Sequence, residues 1–237
     1  MSFAVAEKRT AMAPARLNVS GVSFLADISG ALFQEDERLL IVADLHLEKG
    51  SAYAARRVLL PPYDTAATLA RLASVVIRLA PRAVIGLGDS FHDVRAGERM
   101  AEPDRRALAE LQRGRDFVWV AGNHDPEVPT FVDGERCATF SIGAVTLRHE
   151  PMVGEQAEIA GHLHPVARVV SKSGGLRRRC FASDGKRCVM PAFGAYAGGL
   201  NIRDAAFAPL FPVGVTSAHV LGRSAVYSVG SAHCRPD

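Results

Sequence analysis

The sequence predicts an α/β protein, a four-layer α/β/β/α sandwich in which two mixed β-sheets pack face to face and helices flank them. Between positions 39 and 121, apolar strands alternate with amphipathic helices, a βαβαβ pattern typical of a mostly parallel sheet with right-handed crossovers. From Cys137 onward, short strands follow one another with almost no helical periodicity. No linker or repeat separates the halves, so we expect a flexible leader over residues 1–15 and a single domain over residues 16–237.

The strands expected in the first half are short and bounded by polar or glycine-containing turns. They are Val19–Phe24, Ala31–Phe33, Leu39–Ala43, Ala83–Leu87 and Phe117–Ala121. The last three are continuous apolar runs, as in strands that are covered on both faces.

Two helices are expected to connect these strands. Asp64 can cap a helix that runs to about Ala80 and stops at Pro81. Its apolar stripe is predicted to consist of Ala66, Leu69, Ala73, Val76 and Ile77. A second helix is expected from Glu102 to about Arg113, with a proline in its first turn.

The second half reads as strands and turns. The expected strands are Ala144–Leu147, Glu158–Ala160, Val166–Val170, Arg179–Ala182, Cys188–Met190 and Ala225–Val229. Ser183–Lys186, with Asp-Gly at its centre, predicts a hairpin turn. Residues 192–199 form a glycine-rich loop.

Composition restricts the function only weakly. The chain of 237 residues is 48% hydrophobic and 22% charged, which is ordinary for a globular protein. Its net charge of +3, from 28 basic and 25 acidic residues, is compatible with a polyanionic partner and with many others. No apolar run approaches membrane-spanning length and no signal peptide is apparent, so we expect a cytoplasmic protein with no membrane partner. The 4 cysteines are then reduced, structural thiols.

Side chains able to bind metals follow five of the apolar strands. They are Asp44 and His46; Asp89 and His92; Asn123, His124 and Asp125; His149; and His162 and His164. Mixed oxygen and imidazole ligands suit Mn²⁺, Fe or Zn²⁺, and the absence of cysteine argues against a structural zinc site. Each motif alone is also explained by a polar loop, a turn or a structural histidine. Their recurrence at five strand ends favours a metal site.

These ordered motifs, Asp-x-His, Gly-Asp-x-x-His, Gly-Asn-His-Asp, His and Gly-His-x-His, resemble those of the calcineurin-like metallophosphoesterases from about Leu39 to Pro165. The family fold, a double β-sandwich flanked by helices, agrees with the fold predicted above. The resemblance implies two divalent ions, with manganese expected first and iron or zinc as alternatives. One ion would be held by Asp44, His46, Asp89 and His164, and the other by Asp89, Asn123, His149 and His162.

In that arrangement Asp89 bridges the ions, which clamp the attacking and leaving oxygens while a metal-bridging hydroxide attacks in line. The resemblance also implies that His124 faces the substrate and stabilises charge on the leaving oxygen or protonates it, and that His92 orients His124. A histidine at position 92 resembles the nuclease branch that includes double-strand-break repair nucleases.

A narrower resemblance lies largely outside the ligands. The segments 44–50, 59–65, 148–151, 161–165 and 191–199 are similar to those of the bacterial ligase-associated DNA damage response endonucleases. This similarity implies a manganese-dependent phosphodiesterase that acts on DNA, expected to be single-stranded, in DNA repair. It also implies a functional partnership with a helicase and an ATP-dependent DNA ligase.

Basic and aromatic side chains offer candidate DNA contacts. A cationic cluster is expected around one hairpin, formed by Lys172, Arg177, Arg178, Arg179, Lys186 and Arg187. Arg56 and Arg57 can flank the site, and Tyr53, Phe193 and Tyr196 offer stacking faces. A solvated basic face and ordinary core packing explain these residues equally well.

Two other functions remain open from the sequence. A small-molecule phosphatase or cyclic-nucleotide phosphodiesterase would use the same dinuclear site. A metal-binding scaffold without catalysis is the third possibility, but the intact ligand set and the presence of His124 argue against it. His92, the basic hairpin and the narrower resemblance favour the nuclease.

Overall fold

The computed structural model describes residues 15–61, 63–171, 174–212 and 214–237. Residues 1–14 of the expected leader therefore lie outside the described residues, as does Lys172 of the expected basic cluster. Ala15, the last residue assigned to the leader, is the first residue of a strand.

Within the described residues, the first sheet has 7 strands in sequence order. They are β1 (Ala15–Val19), β2 (Val22–Ala26), β3 (Leu32–Gln34), β4 (Leu39–Val42), β5 (Ala83–Leu87), β6 (Asp116–Val120) and β7 (Glu135–Cys137). Neighbours from β1 to β4 are antiparallel, and those from β4 to β7 are parallel. The carboxyl ends of β4, β5 and β6 therefore meet at one edge of the sheet.

The expected strand Val19–Phe24 was wrong, because the chain reverses within it. Ser20 and Gly21 have φ of 47° and 89° and form the turn of the β1–β2 hairpin. The side chain of Asn18 accepts a hydrogen bond from the Gly21 N–H at 2.9 Å and closes this turn. The sequence signal for this turn was Gly21, because glycine readily adopts left-handed backbone, but the apolar residues on either side suggested a continuous strand.

Four α-helices are present in the described part of the chain. They are α1 (Lys49–Ala55), α2 (Asp64–Leu79), α3 (Ala96–Arg99) and α4 (Glu102–Gln112). Helices α2 and α4 match the two expected helices and cover the outer face of the first sheet, where Leu69, Leu72 and Leu108 join its core. The two short helices were not expected, since neither is long enough to show a period.

The expected stripe of α2 was partly wrong. Ala66 is exposed and Ile77 is 81% exposed, whereas Leu72 and Val75 are buried. Asp64 was also expected to cap the helix, but it is the first helical residue and its carboxylate accepts a hydrogen bond from the Gly50 N–H at 2.9 Å. Tertiary contacts, rather than the helical period alone, decide which face is covered.

The second sheet contains 9 strands in the part of the chain that the structure describes. They are β8 (Phe140–Ile142), β9 (Val145–Arg148), β10 (Glu158–Ala160), β11 (Val166–Ser171), β12 (Gly174–Ser183), β13 (Arg187–Val189), β14 (Ser217–Leu221), β15 (Val226–Gly230) and β16 (Cys234–Arg235). Most lie in the order β15-β14-β12-β13-β10-β9-β8, with β11 joining β12 to β16. Strand β10 runs parallel to both neighbours, and the expected 183–186 turn is confirmed by the antiparallel β12–β13 pair.

The two sheets pack face to face, as predicted. Phe24, Ile41 and Ile85 of the first sheet share one core with Leu147 and Phe181 of the second. Each such buried side chain contributes roughly 1.5–3 kcal/mol relative to exposure. None of the described helices is long and apolar enough to cross a membrane.

The outer face of the second sheet is covered differently from that of the first. Ile202, Leu210 and Phe211 pack on it together with the short 3₁₀ turn Ala205–Phe207. Among the described residues, this buried cluster includes none from α1–α4, so loops and short 3₁₀ turns cover this side.

Candidate metal centre

The loops that follow β4 and β5 are joined by backbone hydrogen bonds. The N–H of Asp44 donates to Gly88 O at 3.2 Å, that of His46 to Asp89 O at 2.9 Å and that of His92 to Leu47 O at 2.9 Å. These bonds continue the contact between parallel strands past their ends. They set the spacing of the two loops on which Asp44, His46, Asp89 and His92 are carried.

Backbone strain is concentrated at the expected ligands. Twelve non-glycine residues of the described chain have positive φ, and five of them are expected ligands. These five are Asp44 (55°), His46 (45°), Asp89 (46°), His162 (67°) and His164 (47°). Left-handed backbone costs of order 1–3 kcal/mol per non-glycine residue and occurs mainly where function requires it. The hydrogen bonds between the loops maintain this conformation.

Two glycines of the metal motifs are required by close packing. A Cβ atom on Gly122 would collide with the backbone nitrogen and side chain of Asp89. A Cβ atom on Gly88 would collide with the ring of His149. These glycines allow the ends of β5, β6 and β9 to approach one another.

The first cluster consists of Asp44, His46 and His164, whose ligand atoms all lie within 4.8 Å of one another. The Nε2 atoms of His46 and His164 are 3.4 Å apart, and His164 Nε2 is 3.2 Å from Asp44 Oδ1. Burial and the neighbouring His164 lower the pKa of His46 to about 3. A neutral His46 ring is the form that binds a metal ion.

The second cluster is centred on the side-chain oxygen of Asn123. This Oδ1 atom lies 2.8 Å from His149 Nε2 and 3.0 Å from His162 Nδ1. His149 Nε2 is also 3.3 Å from Asp89 Oδ1. The structure thus brings together the four residues expected to hold the second ion.

The two carboxylates make the site strongly negative. Burial lowers the pKa of His149, but its hydrogen bond with Asp89 and the charges of Asp44 and Asp89 outweigh this effect and raise the pKa to about 9. Burial raises the pKa of Asp89, but its interactions with His149 and His124 lower it overall to about 2. A field that favours a proton on buried His149 also favours a cation. The donor set and its charge therefore fit divalent ions.

Both carboxylates lie between the clusters. Asp44 Oδ1 is 3.7 Å from His149 Nδ1 as well as 3.2 Å from His164 Nε2. The ligand atoms of Asp44, Asp89 and His149, which connect the two clusters, also all lie within 4.8 Å of one another. The sequence drew attention to Asp89 as the shared carboxylate, and the structure places Asp44 in an equally central position.

His124 lies on the open side of the clusters. Its ring nitrogen Nδ1 is 2.8 Å from the carbonyl oxygen of His92. A carbonyl only accepts hydrogen bonds, so Nδ1 carries a proton and Nε2 faces Asp89 Oδ2 at 3.8 Å. The rings of His92 and His124 also stack, with centroids 5.2 Å apart. The backbone carbonyl and the ring of His92 therefore both contact the His124 imidazole.

This fold has been seen before. The crystal structure of the nuclease MPE from Pseudomonas putida shares 26% sequence identity, covers 92% of this chain and 100% of its own, and superposes with a TM-score of 0.70. The chain has the metallophosphoesterase fold. The phosphoesterase YfcE from E. coli matches 81% of this chain and 97% of its own at 14% identity, with a TM-score of 0.41 that is too low to support a conclusion. No protein-family model and no curated protein sequence matches the chain.

Residues outside the expected ligands brace this site. Thr65 Oγ1 donates to Glu48 Oε1 at 2.9 Å and accepts from the Glu48 N–H at 2.8 Å. This pair ties the loop that carries His46 to the start of α2. Thr68 Oγ1 accepts from the Ala195 N–H at 3.0 Å and so holds the glycine-rich loop to α2. The segments 44–50, 59–65 and 191–199, separate in sequence, thus form one support.

A buried ion-pair network lies behind the second cluster, and sequence reasoning missed it. Glu158 is fully buried on β10, 2.8 Å from Arg187 Nε and 3.3 Å from Arg148 Nε. Arg148 immediately precedes His149, and Glu158 precedes His162 on the same strand and loop. Charged residues in short strands usually face solvent, so only Arg148, within the 148–151 motif, was a signal.

The expected basic cluster is not a single exposed patch. Arg187 is buried with Glu158, and Arg179 is partly buried and donates to Ala192 O at 2.7 Å. These two assignments were wrong, because internal carbonyl and carboxylate groups occupy both guanidinium groups. Arg177 is exposed but pairs with Asp237 at 3.2 Å and donates to Gly199 O at 2.7 Å. Arg178 is exposed.

The other candidate contacts divide in the same way. Arg56 and Arg57 are exposed at the end of α1. The ring of Tyr53 lies 5.7 Å from that of His92, and Tyr196 is 38% exposed. Phe193 is fully buried beneath Arg71 and belongs to the core, so it offers no stacking face.

Proposed function

We propose that this protein is a manganese-dependent phosphodiesterase that cuts single-stranded DNA internally. The observation that supports it most is the convergence of two oxygen–imidazole clusters, with His124 on their open side. The nuclease MPE from Pseudomonas putida has the same fold over 92% of this chain. Of the three functions left open by the sequence, the nuclease is the one that this similarity favours.

The proposed site divides the chemistry among named residues. Asp44, His46, Asp89 and His164 would hold one ion, and Asp89, Asn123, His149 and His162 the other. Bound there, two divalent ions would neutralise phosphate charge and make a nucleophilic water available at neutral pH. The oxygen of that water joins phosphorus, and the bond between phosphorus and the leaving oxygen breaks.

His124 completes this reaction by supplying a proton. Its Nδ1–H is held by the His92 carbonyl, so the acid is the ring protonated at both nitrogens, which donates its Nε2 proton to the leaving oxygen and becomes neutral. Stacking on the His92 ring restricts rotation of the His124 imidazole. Of these two histidines, His124 is therefore the catalytic residue and His92 the positioning residue.

We extend the proposal to DNA repair in the cytoplasm, alongside a helicase and an ATP-dependent DNA ligase. Its support is the narrower sequence resemblance. Several residues of that resemblance, including Glu48, Thr65 and Arg148, support the loops that carry the ligands. Arg56 and Arg57 remain the exposed cations proposed to contact phosphates beside the site.

A circular single-stranded DNA tests the proposal, because it has no ends for an exonuclease. We expect linear and then shorter products with Mn²⁺ and none with excess chelator. Turnover of cyclic nucleotides with intact DNA would instead support the small-molecule alternative. Tight manganese binding without turnover of either substrate would support the scaffold.

A further inference from the structure

Lys49 stands beside the site and has no part in the chemistry described so far. It is the first residue of α1, three positions after the expected ligand His46. Its Nζ donates to the carbonyl oxygen of Tyr196 at 3.0 Å and lies 6.0 Å from the centre of the Tyr53 ring. These contacts hold the amino group at the junction of α1 and the glycine-rich loop.

The amino group of Lys49 keeps free bonding capacity. A lysine ammonium has three N–H donors, and Tyr196 accepts from one of them. Among the described residues, no carboxylate lies within ion-pairing distance of Lys49. Partial burial lowers the pKa of Lys49, and the more distant Asp64 opposes this effect. The site therefore holds a cation without an anionic partner.

The position of Lys49 relates it to the reacting centre. The Tyr53 ring beside it is 5.7 Å from the His92 ring, which is 5.2 Å from the His124 ring. Lys49 is thus connected to His124 through successive contacts of Tyr53 and His92, beside the metal clusters. Phosphates recur along a nucleic acid strand, so a strand with one phosphate at the clusters can present another to Lys49.

We infer that Lys49 binds a phosphate that flanks the scissile one and thereby makes a polynucleotide a better substrate than an isolated diester. This inference rests on the proposed function, because an isolated diester has no second phosphate. The two free N–H donors would form charge-assisted hydrogen bonds with that phosphate. The Tyr196 carbonyl and the Tyr53 ring position the ammonium group.

A purely structural role for Lys49 is the competing explanation. In that explanation, lysine serves only to anchor the glycine-rich loop through the Tyr196 carbonyl. Lys49→Gln separates the two roles, since glutamine offers an N–H donor for that carbonyl but carries no charge. Lys49→Arg retains both the donor and the charge.

The test compares circular single-stranded DNA with bis(p-nitrophenyl) phosphate, both with Mn²⁺. We expect Lys49→Gln to lower the ratio of kcat/KM for DNA to kcat/KM for the small diester about tenfold, the loss typical of one charge-assisted contact. Lys49→Arg should restore most of that ratio. Arg113→Gln, the same loss of charge at the end of α4, should leave both substrates unchanged.

The outcomes separate this inference from the proposed function. If Lys49→Gln leaves the ratio unchanged, Lys49 does not read a flanking phosphate, even if DNA cleavage by the unaltered protein persists. If the unaltered protein hydrolyses the small diester but leaves DNA intact, the proposed function fails and the role of Lys49 fails with it. A tenfold lower ratio for Lys49→Gln that arginine restores supports both.

Discussion

The strand ends that carry the expected ligands differ from the hairpin that carries the arginines in one respect. The ligands are far apart in sequence but close in the structure, whereas the arginines are adjacent in sequence but differ in their surroundings. His46 and His164 are 118 positions apart in the chain, yet their Nε2 atoms lie 3.4 Å from each other. Arg177, Arg178 and Arg179 are consecutive, yet they have different partners and different exposure. Parallel strands bring their ends together, whereas successive residues of one strand point to opposite faces. Topology is therefore the better guide to a functional cluster.

The largest effect is expected at the shared carboxylates. Asp89→Asn retains a side-chain oxygen that accepts the hydrogen bond from the backbone N–H of His124, but it removes a buried negative charge. We expect Mn²⁺-dependent DNA cleavage to fall by roughly 1,000-fold or more, about 4 kcal/mol of transition-state stabilisation, and Mn²⁺ affinity to fall with it. Kinetics and calorimetric titration would measure both.

Asp116→Asn is the matched control, since Asp116 is exposed at the opposite end of a neighbouring parallel strand. It should change neither quantity. Equal effects of the two substitutions would show that the strand ends are not the reacting centre.

His124→Ala tests a residue that lies at the strand ends without being a ligand. We expect kcat to fall roughly 100- to 10,000-fold, the usual contribution of a positioned acid, with Mn²⁺ affinity retained. The side chain is 41% exposed, so its removal should not unfold the protein. Full activity on DNA in a folded variant would remove His124 from the reaction.

In the hairpin, loss of the buried Arg187 charge is expected to lower the free energy of unfolding. Arg187→Met leaves fully buried Glu158 with only the longer pair to Arg148. We expect the free energy of unfolding to fall by about 3–5 kcal/mol, measured by urea denaturation. Arg178→Met, at an exposed position nine residues away, should change it by less than about 0.5 kcal/mol. Similar values for both would mean that Arg187 is not structural.

The smallest effect concerns DNA binding by the exposed arginines. We expect replacement of both Arg56 and Arg57 by glutamine to make single-stranded DNA binding less sensitive to salt. The slope of log K against log salt concentration should become shallower by roughly 1.4, or about 0.7 for each lost phosphate contact. Arg178→Gln should change the slope less. The reverse order would restore the hairpin as the DNA contact.

The fold was predictable where local pattern and topology agree. Strand β5 has the predicted limits, and the five strand ends converge because β4–β6 and β9–β10 are parallel neighbours. The break at Ser20-Gly21 was missed because flanking apolar residues continue the strand pattern. Ile77 was misplaced because α2 packs through a rotated face. The buried ion pair between Glu158 and Arg187 could not be predicted, because a charged residue is expected to be exposed unless its partner is known.

The residues of the site were predictable from the sequence, but their positions relative to one another were not. The motifs identify Asp44, Asp89 and the histidines, but only coordinates show that Asp44 lies as centrally as Asp89. The proton on His124 Nδ1 likewise follows from a carbonyl that no motif specifies.

Anomalous diffraction from crystals grown with Mn²⁺ would show directly whether side chains from five strand ends hold two divalent ions. We expect two manganese peaks, one at His46 and His164 and the other at Asn123, His149 and His162, both coordinated by Asp89. A single peak, or peaks away from these residues, would mean that the strand ends do not form a two-metal site.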